Sequence, residues 1–118
     1  MVSIFKYTTH GETSEIDFDD IVYMKNNKRI IEIYSYNKID DNITLNIKFY
    51  STINDVIAKL PSDRFAHCER SYIVNLDYVS TIQYSLIILN DNEKTQIPIS
   101  RAKRSKTVIA FQKNKLNS

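Results

Sequence analysis

R-F-A-H-C-E-R-S-Y-I-V-N-L-D-Y-V-S-T-I, residues Arg64 to Ile82, is the densest mixture of charged, aromatic and β-branched residues in the chain. Tyr72, Ile73, Val74 and Leu76 suit a strand, because aromatic and β-branched side chains fit a pleated, half-buried surface. Arg70 and Ser71 stand immediately before them. A strand that starts behind a charged fork and a hydroxyl can aim donors at something outside the protein. The same stretch holds the only cysteine, Cys68, and one of the two histidines, His67.

Downstream, S-L-I-I-L (Ser85 to Leu89), a turn at N-D-N-E, and T-Q-I-P-I (Thr95 to Ile99) read as a hairpin. Pro98 cannot donate to a ladder, so its strand is expected at a sheet edge. Ser100 is placed to cap a last short helix, with Ala102, Ser105, Val108, Ile109 and Gln112 along one side. Arg101, Lys103, Arg104 and Lys106 crowd its first turns.

Upstream, Ser51 to Leu60 reads as a packing helix. Ser51 or Thr52 can cap it, Asp55 lies in its first turn, and Pro61 stops it. Ile53, Val56, Ile57 and Leu60 fall on one face. Before it, Arg29 to Tyr36 and Ile43 to Tyr50 form a hairpin that turns at Asp40, Asp41 and Asn42. Ile43, Leu45, Ile47 and Phe49 alternate with polar neighbours, predicting one core face and one wet face. Lys25 to Arg29, K-N-N-K-R, is a polar, basic turn. Residues 2 to 24 read as short strands around H-G-E-T-S, which carries the only glycine. The sum is mostly β: eight to ten short strands in small antiparallel sheets, with one or two short helices.

The 118 residues suit one domain, 1–118, with room for a core. No apolar run approaches the ~18 residues of a membrane span, and the first residues lack a secretory h-region. A single cysteine cannot close an internal disulfide, which fits a reducing, cytoplasmic setting. The net charge is only +2, but its distribution is uneven. Glu12 to Asp20 holds five acidic residues and no basic one; Lys94 to Ser118 holds seven basic residues and no acidic one. Such patches fit either a solvated tail or a nucleic-acid footprint.

For an enzyme the sequence is poor. It has no G-x-G-x-x-G or G-K-[ST], and one glycine makes a backbone phosphate cradle untenable. His67 and Cys68 are adjacent and point to opposite faces of a strand, so they cannot form a nucleophile and its base. One Cys and two His lack zinc spacing, and no cofactor is expected. Cys68 reads as a buried small residue rather than a redox sensor. Tyr34, Tyr36, Tyr50 and Tyr72 could line a sheet face and stack RNA bases, or fill the edges of a small β core.

Three pieces carry a resemblance to the LytTR family, DNA-binding domains of bacterial two-component response regulators. The first is the opening stretch, where Phe65, Arg70, Ser71, Val74, Asn75, Val79 and Ile82 fit the family pattern and Tyr72, Leu76 and Tyr78 are typical of it. The second is I-P-I-S-R-A-K, Ile97 to Lys103. The third is I-D-F-D-D-I-V-Y-M, Ile16 to Met24. Together they span about residues 16–106. Two positions depart: Glu69 stands where the family usually has His, and His67 where it often has a basic residue. Glu69 is expected to pair with Arg64 or Arg70, or to alter which base is read.

The resemblance implies an elongated stack of small antiparallel sheets that reads DNA with loops. It implies sequence-specific binding of double-stranded promoter DNA for transcription regulation, as two copies on direct repeats, with bending of the duplex. Arg70 and Arg101 become base readers on separate loops, with Lys28 and Arg29 as a third contact. Arg presents a planar fork that matches guanine O6 and N7, worth about 1–3 kcal/mol of discrimination. Ser100, Lys103, Arg104 and Lys106 would hold phosphates, with Asn26, Asn27 and His67 in support. A salt bridge from Arg70 to Glu69 or Asp77 is the alternative role for that arginine. The family usually carries a receiver domain; none is visible in this chain, and one would belong to a longer chain. The competing functions are a protein–protein interaction module and an RNA-binding β domain.

Overall fold

In the computed structural model, which describes residues 3–117, the chain forms ten short strands in three antiparallel sheets, plus two α-helices. Val2, expected to open the first strand, lies outside the described residues. β1 (Ile4–Thr9) and β2 (Glu12–Asp17) make a separate hairpin. Its two-residue turn, His10 and Gly11, has φ of 51° and 79°. A turn with both central residues left-handed matches the twist of its strands, and the glycine meets that need without a Cβ penalty.

The central sheet contains β3 (Ile21–Asn27), β4 (Ile30–Asn37), β5 (Asn42–Tyr50), β6 (Phe65–Glu69) and β7 (Tyr72–Asn75), in the order β5-β4-β3-β7-β6. A third sheet is built from β8 (Val79–Ile82), β9 (Leu86–Leu89) and β10 (Gln96–Pro98), in the order β10-β9-β8. The strand of Pro98 is an edge, as its missing N–H requires. α1 (Ile53–Ile57) follows β5, and α2 (Arg101–Leu116) closes the chain.

The central sheet is buried on both faces. Met24, Ile31, Ile33, Phe65 and Ile73 meet Phe5 of the β1–β2 hairpin and Val56 of α1 in one core. Val22, Ala66, Cys68 and Val74 meet Ile87, Leu89 and Ile97 of the third sheet in another. Bulges sort residues between the two. The pairing of β3 with β4 skips Val22, and that of β6 with β7 skips Cys68. An extra residue lets two neighbours lie on one face. Val22 and Tyr23 thus both reach the second core while Ile21 and Met24 reach the first.

The expected face of β5 is corrected by the same device. The ladder to β4 passes from Ile33↔Ile47 to Tyr34↔Leu45, skipping Asn46. Phe49 and Ile47 join the first core, Ile43 packs against the second, and Leu45 is exposed. Helix lengths also differ from expectation. α1 is only five residues, capped by Thr52 Oγ1 accepting from the Asp55 N–H at 3.2 Å. α2 is not short: it runs sixteen residues. Its packed side holds Thr107, Ala110 and Phe111, whereas Ser105, Ile109 and Gln112 face outward, Val108 is half-buried and Ala102 is exposed at the edge of a cavity. The expected stripe was therefore the outer one. Helical spacing alone cannot say which weakly apolar side meets the sheet.

Candidate nucleic-acid interface

Strand direction divides the central sheet into two chemically opposite ends. β3 leaves Asp19 and Asp20 and arrives at Asn26, Asn27 and Lys28. β6 leaves Arg64 and arrives at Glu69 and Arg70. At ~3.3 Å per residue these ends stand about 20 Å apart.

At the acidic end Arg64 is engaged. Its guanidinium contacts the carboxylates of Asp19 and Asp77, the latter at 3.1 Å. Desolvation lowers its pKa, but these two carboxylates outweigh burial and raise it. The pairing expected between Arg64 and Glu69 does not occur, since the strand length of β6 separates them. Tyr78 donates its hydroxyl proton to Asp19 O at 2.6 Å. Asn114, near the end of α2, donates to Asp77 Oδ1 at 2.9 Å.

At the other end three loops meet. The first is the β3–β4 turn, where Asn27 pairs with Ile30 and Lys28 and Arg29 form the tip. Lys28 has φ of 62°, an uncommon conformation for a side chain with a Cβ. The second is the β6–β7 turn, where Glu69 pairs with Tyr72 and Arg70 and Ser71 form the tip. The third is the entry to α2 at Ser100 and Arg101. Two backbone hydrogen bonds staple them: Asn26 N–H to Ser71 O at 2.7 Å, and Ser100 N–H to Cys68 O at 2.9 Å.

Glu69 does not pair with Arg70. Its Oε1 accepts the Ser71 backbone N–H, which folds the carboxylate over the turn. His67 Nε2 stands 3.2 Å from Arg70 O and donates to it. Burial lowers the His67 pKa, and the bond to Arg70 opposes that shift in part. Both side chains brace the turn that carries Arg70, while the Arg70 side chain itself is exposed.

Among the described residues, Lys28, Arg29, Arg70, Arg101, Lys103 and Lys106 make no ion pair, whereas Lys48 and Arg64 do. Arg104 is turned aside, donating its Nε–H to Tyr84 O at 3.2 Å with its guanidinium over the Tyr84 ring. Ser100 holds the N-cap position with extended backbone, yet its hydroxyl makes no capping bond and is buried without a partner. Asn26 Oδ1 is also buried and unpartnered.

α2 has no acidic residue in its first turn and begins with Arg101, Lys103, Arg104 and Lys106. Cations at the positive end of the helix dipole cost about 0.3–1 kcal/mol each in favourable geometry. A local rule broken several times over marks a functional surface more often than a structural one. An anion placed there would offset the cost, since free N–H groups and the dipole both favour negative charge.

Tyr23, Tyr36, Tyr72 and Tyr78 lie on the second-core face, whereas Tyr7 packs against the first core. Tyr23 and Tyr34 stack at 4.3 Å between ring centroids, and Lys25 Nζ sits 5.7 Å from the centre of the Tyr72 ring. Tyr34, Tyr36 and Tyr72 are half-buried core edge, while Tyr50 is 81% exposed. Cys68 is fully buried, and desolvation pushes its thiol pKa up to about 12, so it is held as the neutral thiol. Among the described residues, no helix is long and apolar enough to cross a membrane.

Asn75 had no role assigned from sequence. It is fully buried and ties the end of β7 to the start of β3, donating to Ile21 O at 2.8 Å and Phe18 O at 3.3 Å. Its place in V-N-L-D, two residues before the N–H it accepts, is the signal that could have marked it as the cap of a short turn.

The family profile described as the LytTr DNA-binding domain matches residues 11–110 of this chain. Four solved chains are similar to it. One is the LytTr DNA-binding domain of a protein described as a methyl-accepting/DNA response regulator from Bacillus cereus, 18% identical, with a TM-score of 0.66 over 94% of this chain and 98% of that one. At that identity the likeness concerns the fold. No curated protein matches.

Proposed function

The chain belongs to the LytTR family of DNA-binding domains, and from that premise we propose that the three loops of its basic end recognise a specific double-stranded promoter sequence. DNA binding in transcription regulation comes with the family, which is not catalytic. The base-reading surface is our own assignment. It rests on one observation: two backbone hydrogen bonds hold three loops together, and each loop carries a basic side chain with no ion pair among the described residues.

Arg70 and Arg101 read base edges from neighbouring loops, and Lys28 and Arg29 add a third contact. Asn26 and Asn27 support that turn, and His67 supports Arg70 through its backbone carbonyl. Ser100, Lys103 and Lys106 hold phosphates at the start of α2, with Arg104 beside them. Two copies occupy direct-repeat half-sites, in the cytoplasm, and residues 1–118 act as one output domain. A receiver domain, where present, belongs to a longer chain.

Fluorescence anisotropy on a duplex selected from a random pool, against a scrambled control at two salt concentrations, tests this. Specific sites are bound typically about 10³-fold or more tighter than random DNA, with affinity falling steeply as salt rises. Equal, weak binding of both duplexes, abolished by modest salt, would reject a sequence reader.

A further inference from the structure

α1, β6 and α2 enclose a cavity of about 410 Å³ behind the basic end. Ile57, Leu60, Phe65 and Ile73 form an apolar floor, and Lys103 and Lys106 stand among the residues that line it. We infer that this cavity is a binding site for a small amphipathic carboxylate, with its hydrocarbon on that floor and its carboxylate between the two lysines.

The size lies within the range of small-molecule sites, which are mostly apolar with a few convergent polar groups. The lining contains no Asp or Glu; its other polar members are Asn54, Ser62, His67 and Thr107. An anion therefore meets no like charge within the cavity. Neither lysine is ion-paired among the described residues, and both lie in the first two turns of α2, where the helix dipole adds to their attraction. His67 is held toward its neutral form by burial, so the cationic wall is the lysine pair. Two ammonium groups above an apolar floor suit one carboxylate with a hydrocarbon tail better than a polyphosphate.

Lys103 and Lys106 are also the proposed phosphate contacts. If that reading of the interface holds, the carboxylate and the duplex compete, each weakening the other by the same factor.

Octanoate is the probe, with octan-1-ol as its uncharged counterpart. Titrated into the folded chain, octanoate is expected to shift the resonances of Ile57, Phe65, Ile73 and Ala110 saturably, with octan-1-ol about fivefold weaker or worse. That is the ratio one exposed ion pair supports. Replacing both Lys103→Ala and Lys106→Ala should weaken octanoate by at least the same factor. Ala102→Asp at the exposed mouth should weaken it too, and it keeps the helix sound because an acidic residue suits the first turn. Non-saturating shifts scattered over the surface, or unchanged affinity in these variants, would overturn the site. Anisotropy with saturating octanoate separates the two proposals. Undiminished duplex binding would overturn the competition, whereas octanoate binding in a chain that reads no duplex would keep the cavity and reject the DNA surface.

Discussion

Replacing Asn75 by Ala is expected to lower folding stability by about 2–4 kcal/mol while leaving the basic end intact. The side chain is fully buried, and it makes three hydrogen bonds. Nδ2 donates to Ile21 O at 2.8 Å and, less well, to Phe18 O at 3.3 Å; Oδ1 accepts the Asp77 N–H at 3.0 Å. Alanine leaves the Ile21 carbonyl facing a space without a donor, and an orphaned buried acceptor costs about 1–3 kcal/mol. Losing the bond to Asp77, which caps the short turn Leu76–Tyr78, adds about 1 kcal/mol. With an unfolding entropy of about 2.1 cal/mol/K per residue, that loss lowers Tm by roughly 8–16 °C for a chain of this size. Urea unfolding and thermal melts measure both quantities. Asn75→Asp sharpens the test, because a carboxylate there would face two carbonyls. At neutral pH it should be at least as destabilising as alanine, and its deficit should narrow as acid protonates the carboxyl and restores a donor. A loss under about 1 kcal/mol for alanine, or an aspartate variant as stable as the original at neutral pH, would refute this account of the asparagine.

Other predictions use the two ends of the sheet. Arg70→Ala and Arg101→Ala should each cost about 1–3 kcal/mol on the selected duplex and relax base preference at different positions; equal losses on specific and scrambled DNA would make them phosphate contacts. Arg64→Ala, at the acidic end, should reduce stability by about 1 kcal/mol in a salt-sensitive way and leave base preference unchanged; an altered preference would overturn the division into two ends. Cys68 should resist thiol reagents in the folded chain at pH 8, and rapid labelling without unfolding would contradict its burial. Because burial raises its pKa from 9.0 to about 12, folding favours the neutral thiol. The stability it contributes is complete below pH 9 and declines as pH rises toward 12. Between pH 9 and 10 the original chain should lose about 1 kcal/mol more than Cys68→Ala, as urea midpoints at each pH would show.

Much of the fold was legible because its signals are local. His10 and Gly11 satisfy a tight turn, Pro98 lacks a donor and ends at an edge, and Thr52 caps α1, which ends at Ile57, before Pro61 is reached. The strand expected at Tyr72, Ile73 and Val74 is β7, but Leu76 begins the short turn after it, and the flanking strands β6 and β8 were not marked out in the sequence. The alternation in β5 misled, since a strict period of two assumes one buried face. Here both faces of the sheet are buried, and a bulge passes Ile43 to a different core from Ile47. Arg64 and Arg70 looked equivalent in sequence, six positions apart, yet one is neutralised by two carboxylates and the other projects from a turn.

Taken alone, the sequence determined the class of structure, the order of its elements, its turns and its stock of basic loops, because these depend on neighbours a few residues apart. Which of those loops share a surface was decided only by the tertiary structure. Lys28, Arg70 and Arg101 come together because β3 pairs with β7 and the entry to α2 bonds to β6, contacts that link residues distant in the chain. The same long-range packing chose which side of α2 is buried, turned Glu69 onto its own turn, and left the cavity between α1 and α2. Side-chain chemistry can be read along a chain, but convergence depends on strand register, and register is set by how two cores fill the space on either side of one sheet.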